Sequence, residues 1–201
     1  MELEKLLGER PERPAIMGVG HPRRGDDAAG VELVRRLAGR TRAALVEAAE
    51  VPERYLGQVI EARPSLVLLA DAVDFGAAPG TVALFGADEL AGDGCSTHSI
   101  SLRLTMDFLA AETGAPVYLL GIQPNSLAAG APLSSAVERS LDALVRLLAD
   151  WAPSEPPACP LLLSAFAGDD SAVVAKATMA KSAAPLRRVK SAARTEGSRP
   201  C

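Results

Sequence analysis

The chain is poor in aromatic residues, histidine and cysteine, and each scarcity narrows what it can be. Only 3% of its 201 residues are Phe, Trp or Tyr, so Leu, Val and Ala must build the core, and no ladder of rings is available for stacking nucleic-acid bases. Cys95, Cys159 and Cys201 are odd in number, far apart and in no CxxC spacing, which argues against a disulfide framework or a structural zinc knuckle and suits a reducing cytoplasm. Charges run through the first thirteen residues, which contain no apolar run, so no secretory segment is expected there. The longest uncharged stretch, residues 113–137, contains Pro116, Pro124 and Pro132 as well as Gln123 and Asn125. A helix crossing a membrane does not survive those breaks, so a soluble protein without membrane insertion is expected.

Hydrophobic residues make up 48% of the chain and charged ones 23%, close to the globular average. A domain of this size buries roughly 70% of its unfolded surface and needs no staple. The formal charge of −4 is unevenly spread. Residues 153–201 hold seven of the 21 basic and four of the 25 acidic side chains. That leaves the body at −7 and the tail at +3. A body so acidic repels a phosphate backbone, and nucleic acid is not an expected partner.

Residues 14–20 are a short apolar run closed by Gly18 and Gly20, the pattern of a buried strand, and residues 26–39 follow with helical spacing at Ala29, Leu33, Val34 and Leu37. Residues 44–47 form a weaker strand. Pro52 stands where a helix begins, running to Ala62 with Leu56, Val59 and Ile60 on one face. Residues 66–70 are continuously apolar, as in a central strand covered on both faces, and Asp71 is the first polar residue after them. Strands at 81–85 and 117–121 and helices at 99–111 and 135–151 complete the pattern, with Ser135 and Glu138 in capping-box spacing. The alternation predicts an α/β fold, a three-layer sandwich with a mostly parallel five-stranded sheet. Residues 1–13 read as an N-terminal extension, 14–152 as the domain and 153–201 as a disordered basic tail rich in Ala, Pro and Ser. Deleting residues 156–201 is therefore expected to cost little stability.

In open α/β sheets, functional residues gather past the carboxyl ends of strands. Three polar clusters lie there. The first runs Gly18-Val-Gly20-His21-Pro-Arg-Arg-Gly25-Asp26-Asp27. Arg23 occupies the place of a third dinucleotide-binding glycine, and the lysine of a phosphate-binding loop is missing. The second cluster is Asp71-Ala-Val-Asp74 and the third Ser96-Thr-His98-Ser99. The plain alternative for each is structural: Asp26 as a helix cap, Asp27 against the helix dipole, Asp71 as a solvated strand end, His98 as a cap. Together they offer carboxylates and one imidazole, a donor set for nickel, zinc or another borderline divalent ion. A Ser or Cys hydrolase on Ser99 or Cys95 is the remaining catalytic alternative, although His21 is the only second histidine.

The runs GVGHPRRGDDAAG, VPERYLGQVIEARPSLVLLADAVDFGAAPGTVALF, STHSISL, VYLLGIQP and LSSAVERSLDALVRLLADW, in that order over residues 14–152, resemble the hydrogenase maturation endopeptidases. The similarity is greater to the branch that processes the large subunit of hydrogenase 3. It implies a twisted sheet between helices, and cleavage of a C-terminal extension from a nickel-loaded [NiFe]-hydrogenase large-subunit precursor. In that family the residues matching Asp27, Asp71 and His98 bind the nickel, which is carried mainly by the substrate, with zinc or another divalent ion as a possible occupant in vitro. These three are the expected metal-binding and catalytic residues, with Asp26 and Asp74 as second choices for acid/base work. Two departures stand out. His21 replaces the family's Asn, altering a backbone-organising hydrogen bond or adding a fourth ligand, and Ala48-Ala49-Glu50-Val51 replaces a glycine-containing segment before Pro52 and Glu53. The resemblance implies a cytoplasmic nickel-dependent peptidase, expected to be a monomer. The alternative is a nickel-sensing chaperone that binds the same precursor without cutting it.

Overall fold

The computed structural model describes residues 3–8, 10–90 and 97–154, without the side chains of residues 3, 4, 7 and 97–100. Five strands form one sheet: β1 (Pro14–Val19), β2 (Ala44–Ala49), β3 (Leu66–Ala72), β4 (Val82–Phe85) and β5 (Val117–Ile122). Their order is β2-β1-β3-β5-β4, with β4 alone antiparallel. The helices are α1 (Leu3–Gly8), α2 (Ala29–Leu37), α3 (Leu56–Glu61), α4 (Thr97–Thr113) and α5 (Ser135–Trp151). The three-layer reading holds.

Every residue of β1 and β3 is buried, which is why both segments read as unbroken apolar runs. Alternation divides their side chains between two cores. Ile16, Leu68, Ala70 and Ala72 join Leu33, Leu37, Leu141 and Leu148 beneath α2 and α5, and Met17, Val19, Leu69 and Val73 join Leu102, Met106 and Leu109 of α4. Edge strand β2 instead exposes Glu47. Arg35 of α2 donates to both Glu47 oxygens at 2.5 and 3.0 Å and to Glu32 at 2.9 Å. Those bonds, Glu47 first, hold its guanidinium more firmly protonated than usual. Arg36 similarly ties α2 to α5 through Glu138 and Asp142.

Helix α2 approaches the sheet without side chains in between. A Cβ on Gly30 would stand 2.0 Å from the Ala70 oxygen, and one on Gly18 would stand 2.3 Å from the Gly30 oxygen. Only glycine permits that approach, and it fixes the start of α2 over β1 and β3.

Several local expectations change. Ser134, not Ser135, caps α5, its Oγ accepting the Val137 N–H at 3.4 Å, and Glu138 turns to Arg36. The segment after Pro52 is a 3-10 turn (Pro52–Tyr55) before α3. Helix α1 lies within the expected N-terminal extension. Leu6 is wholly buried, and the Trp151 indole N–H donates to its carbonyl at 3.1 Å. The expected tail from 155 onward lies outside the described residues, as do Cys95, Cys159 and Cys201.

Candidate active site

The carboxyl ends of β1, β2 and β3 face the same way, and the first polar cluster crosses over them as a loop and a 3-10 turn (Gly25–Ala28) leading into α2. Gly20, with φ +125°, makes the crossing possible. A Cβ there would stand 1.8 Å from the Asp27 carbonyl oxygen and 3.6 Å from Asp71 Oδ1. The backbone carbonyl of Asp27 and the carboxylate of Asp71, 44 residues apart in sequence, thus both lie beside one glycine.

Neither carboxylate is a solvated strand end or surface cap. Asp27 and Asp71 are both 0% exposed. Asp71 lies inside β3 rather than beyond it, because the strand continues to Ala72 alongside β5. Its Oδ1 accepts the Ala72 N–H at 2.8 Å. Alternation with Leu69 and Val73 places it on the α4 side of the sheet. Position 98 is in the first turn of α4, one turn before Leu102, whose side chain is buried in the core shared with Leu69. The side chain of His98 lies outside the described residues. Among the described residues no three metal-ligating side chains converge.

Asp26, also 0% exposed, does different work. Its Oδ2 accepts the N–H groups of Asn125 at 2.8 Å and Ser126 at 3.2 Å, and its Oδ1 that of Ser134 at 2.6 Å. It caps no helix; it fastens the β5–α5 loop to the first cluster. Asp74 is similarly engaged, its Oδ1 accepting from the Gly76 N–H and the Gln123 amide at 3.1 and 3.0 Å. Gln123 Oε1 in turn accepts the Phe75 and Ala77 N–H groups at 3.0 and 3.1 Å. In the sequence Gln123 stands out only as the first polar residue after β5, with nothing local to announce the bonds it makes.

The two departures have visible consequences. His21 Nδ1 accepts the Arg23 N–H at 3.1 Å, so it takes up a backbone-organising bond, while Nε2 lies 3.7 Å from Glu50 Oε2. Ala49, in the segment where the resemblance implies glycine, has φ +48° beside a register shift in the β1–β2 pairing. That left-handed conformation is strained for alanine.

Fold and site together describe a three-layer α/β protein with buried carboxylates at the carboxyl edge of a mostly parallel sheet. The hydrogenase maturation protease family model matches residues 30–151, and the chain belongs to that family. It is 27% identical over 139 residues to the hydrogenase 3 maturation protease of Escherichia coli, covering 68% of this chain and 88% of that protein. The crystal structure of a [NiFe] hydrogenase maturation protease from Thermococcus kodakarensis superposes with a TM-score of 0.69 at 28% identity, covering 75% of this chain and 98% of that one. An Escherichia coli endopeptidase of the same kind, solved in solution, gives 0.60 at 25% identity over 69% of this chain and 90% of its own. This chain is accordingly a peptidase of hydrogenase maturation, and the binding-only chaperone is not favoured. Among the described residues, no helix is long and apolar enough to cross a membrane.

Proposed function

We propose that the protein removes the C-terminal extension of a [NiFe]-hydrogenase large-subunit precursor, and that it acts on the precursor once nickel has been loaded. The observation that carries this reading is the complete burial of Asp27 and Asp71, with the Asp27 backbone and the Asp71 carboxylate beside Gly20 and Asp71 on the sheet face that α4 covers. Buried carboxylates are costly unless they serve a partner. Two carboxylates and an imidazole form an incomplete set for a borderline divalent ion, and they suit a nickel whose other positions the substrate's thiolates fill. Isolated protein should therefore hold nickel or zinc weakly. The metal in the substrate supplies carbonyl polarisation or water activation. Asp27, Asp71 and His98 hold the precursor so that its scissile peptide is presented there, while Asp26 and Asp74 fix the surrounding loops. We assign the protein to the cytoplasm as a monomer.

The test is incubation with nickel-loaded precursor, followed by mass spectrometry. The wild-type protein should shorten it, and Asp27→Asn, Asp71→Asn and His98→Ala should each fold but leave it full length. A precursor bound and never cut by the wild type, or cut at near-normal rate by His98→Ala, would overturn the proposal.

A further inference from the structure

Next to the aspartates, the loop between β1 and α2 opens a cleft of about 580 Å³ lined by His21, Arg23, Arg24, Glu50, Ala129 and Gly130. Its backbone is held from both sides. The Arg24 N–H donates to the His21 carbonyl at 3.2 Å, the Gly130 N–H to the Arg23 carbonyl at 2.9 Å and the Gly25 N–H to the Ala131 carbonyl at 3.1 Å. Two consecutive guanidinium groups thus leave a fixed loop. Among the described residues neither has a carboxylate within ion-pair distance, whereas Arg35 and Arg36 on α2 each engage two.

Arg24 Nε is shut off from water and has no hydrogen-bond partner among the described residues. A buried donor left unmade costs stability until something supplies an acceptor. Glu50, the one acidic residue lining the cleft, faces the histidine: His21 Nδ1 accepts the Arg23 N–H at 3.1 Å, and Nε2 lies 3.7 Å from Glu50 Oε2. The cleft therefore offers two unpaired planar cations in a body whose net charge is otherwise negative. A carboxylate fits that donor fork, with two oxygens to match paired N–H groups.

We propose that Arg23 and Arg24 form a carboxylate-binding subsite for the peptide chain of the precursor, flanking the aspartate site. The carboxylate comes either from an Asp or Glu side chain or from a chain terminus. This inference rests on the reading of the protein as a precursor-processing peptidase.

Two measurements test it on the full chain. In amide NMR titrations, acetyl-Ala-Ala-Asp-Ala-Ala-amide represents an internal carboxylate, acetyl-tetra-alanine with a free carboxyl group a terminal one, and its amide the neutral control. One of the acidic peptides should shift the signals of residues 21–25 and 129–131, and the neutral peptide should not. In the processing assay, Arg24→Gln and Arg23→Gln should each raise KM about tenfold, the loss of roughly one charge-assisted contact, with kcat changing less than twofold. Arg24→Lys should recover only part of that loss, because it cannot bind in two places at once. Arg40→Gln, three residues beyond the C-terminal end of α2, serves as the charge control and should leave KM unchanged. An unchanged KM in the Arg23→Gln/Arg24→Gln double variant would refute the subsite, as would equal shifts with the neutral peptide or saturation by inorganic phosphate without peptide preference. If the wild type fails to cut the precursor while the acidic-peptide shifts persist, the processing reading falls and the carboxylate site stands.

Discussion

Asp26→Asn is expected to destabilise the protein far more than an exchange of one atom suggests. The carboxylate accepts three backbone N–H groups from a loop about a hundred residues away, at 2.8, 3.2 and 2.6 Å. An asparagine has a single acceptor oxygen. Its best placement keeps that oxygen on Asn125 and Ser126 and turns the NH₂ toward the Ser134 N–H, donor against donor. One charge-assisted bond is lost and one buried N–H is left unmet, together about 3 kcal/mol. For a domain of this size that lowers the melting temperature by about 10 °C. Urea unfolding followed by far-UV circular dichroism measures the loss directly, with an unchanged slope and a lower midpoint. The neighbouring Asp27→Asn supplies the contrast, since it should lose processing while keeping a cooperative unfolding transition. A loss below about 1 kcal/mol for Asp26→Asn would refute the role of this side chain as a clamp between loops.

Two further changes test how the site is positioned. Gly30→Ala should cost about 3 kcal/mol or prevent folding, because its methyl group would meet the Ala70 and Val19 oxygens at 2.0 and 2.4 Å; soluble yield and melting temperature report the effect. Ala49→Gly should raise stability by about 0.5–1 kcal/mol by relieving the left-handed conformation at φ +48°, a gain readable in the urea midpoint.

How much of this was legible in the sequence depended on where each cause lay along the chain. Strands β1 and β3 were plain because burial on both faces writes an unbroken apolar run. The alternation of strands and helices then gave the layers. Asp27, at a helix start, and Asp71, at a strand end, could be singled out as polar residues past the sheet, but their complete burial could not, since it depends on packing against segments distant in the chain. The work of Asp26 was hidden for a similar reason: its donors come from Asn125, Ser126 and Ser134, and no local pattern announces them. Ser135 and Glu138 imitated a capping box one residue out of place, while Arg36, distant in sequence, claimed Glu138. Helix α1 went unseen because a single turn and a half carries no period. It is secured by Leu6 and Trp151, at opposite ends of the domain. The assignment of Asp27, Asp71 and His98 to nickel came from the family resemblance, with the residues themselves offering only a suitable donor set.

The claim at the centre of this account is that the enzyme reads the metal in its substrate through Asp27, Asp71 and His98. Its most direct test is a side-by-side time course in which the wild-type protein meets the same large-subunit precursor with and without nickel, and the shortened product is quantified. The nickel-loaded precursor should be cleaved and the nickel-free one left intact. Equal rates on the two would contradict the claim.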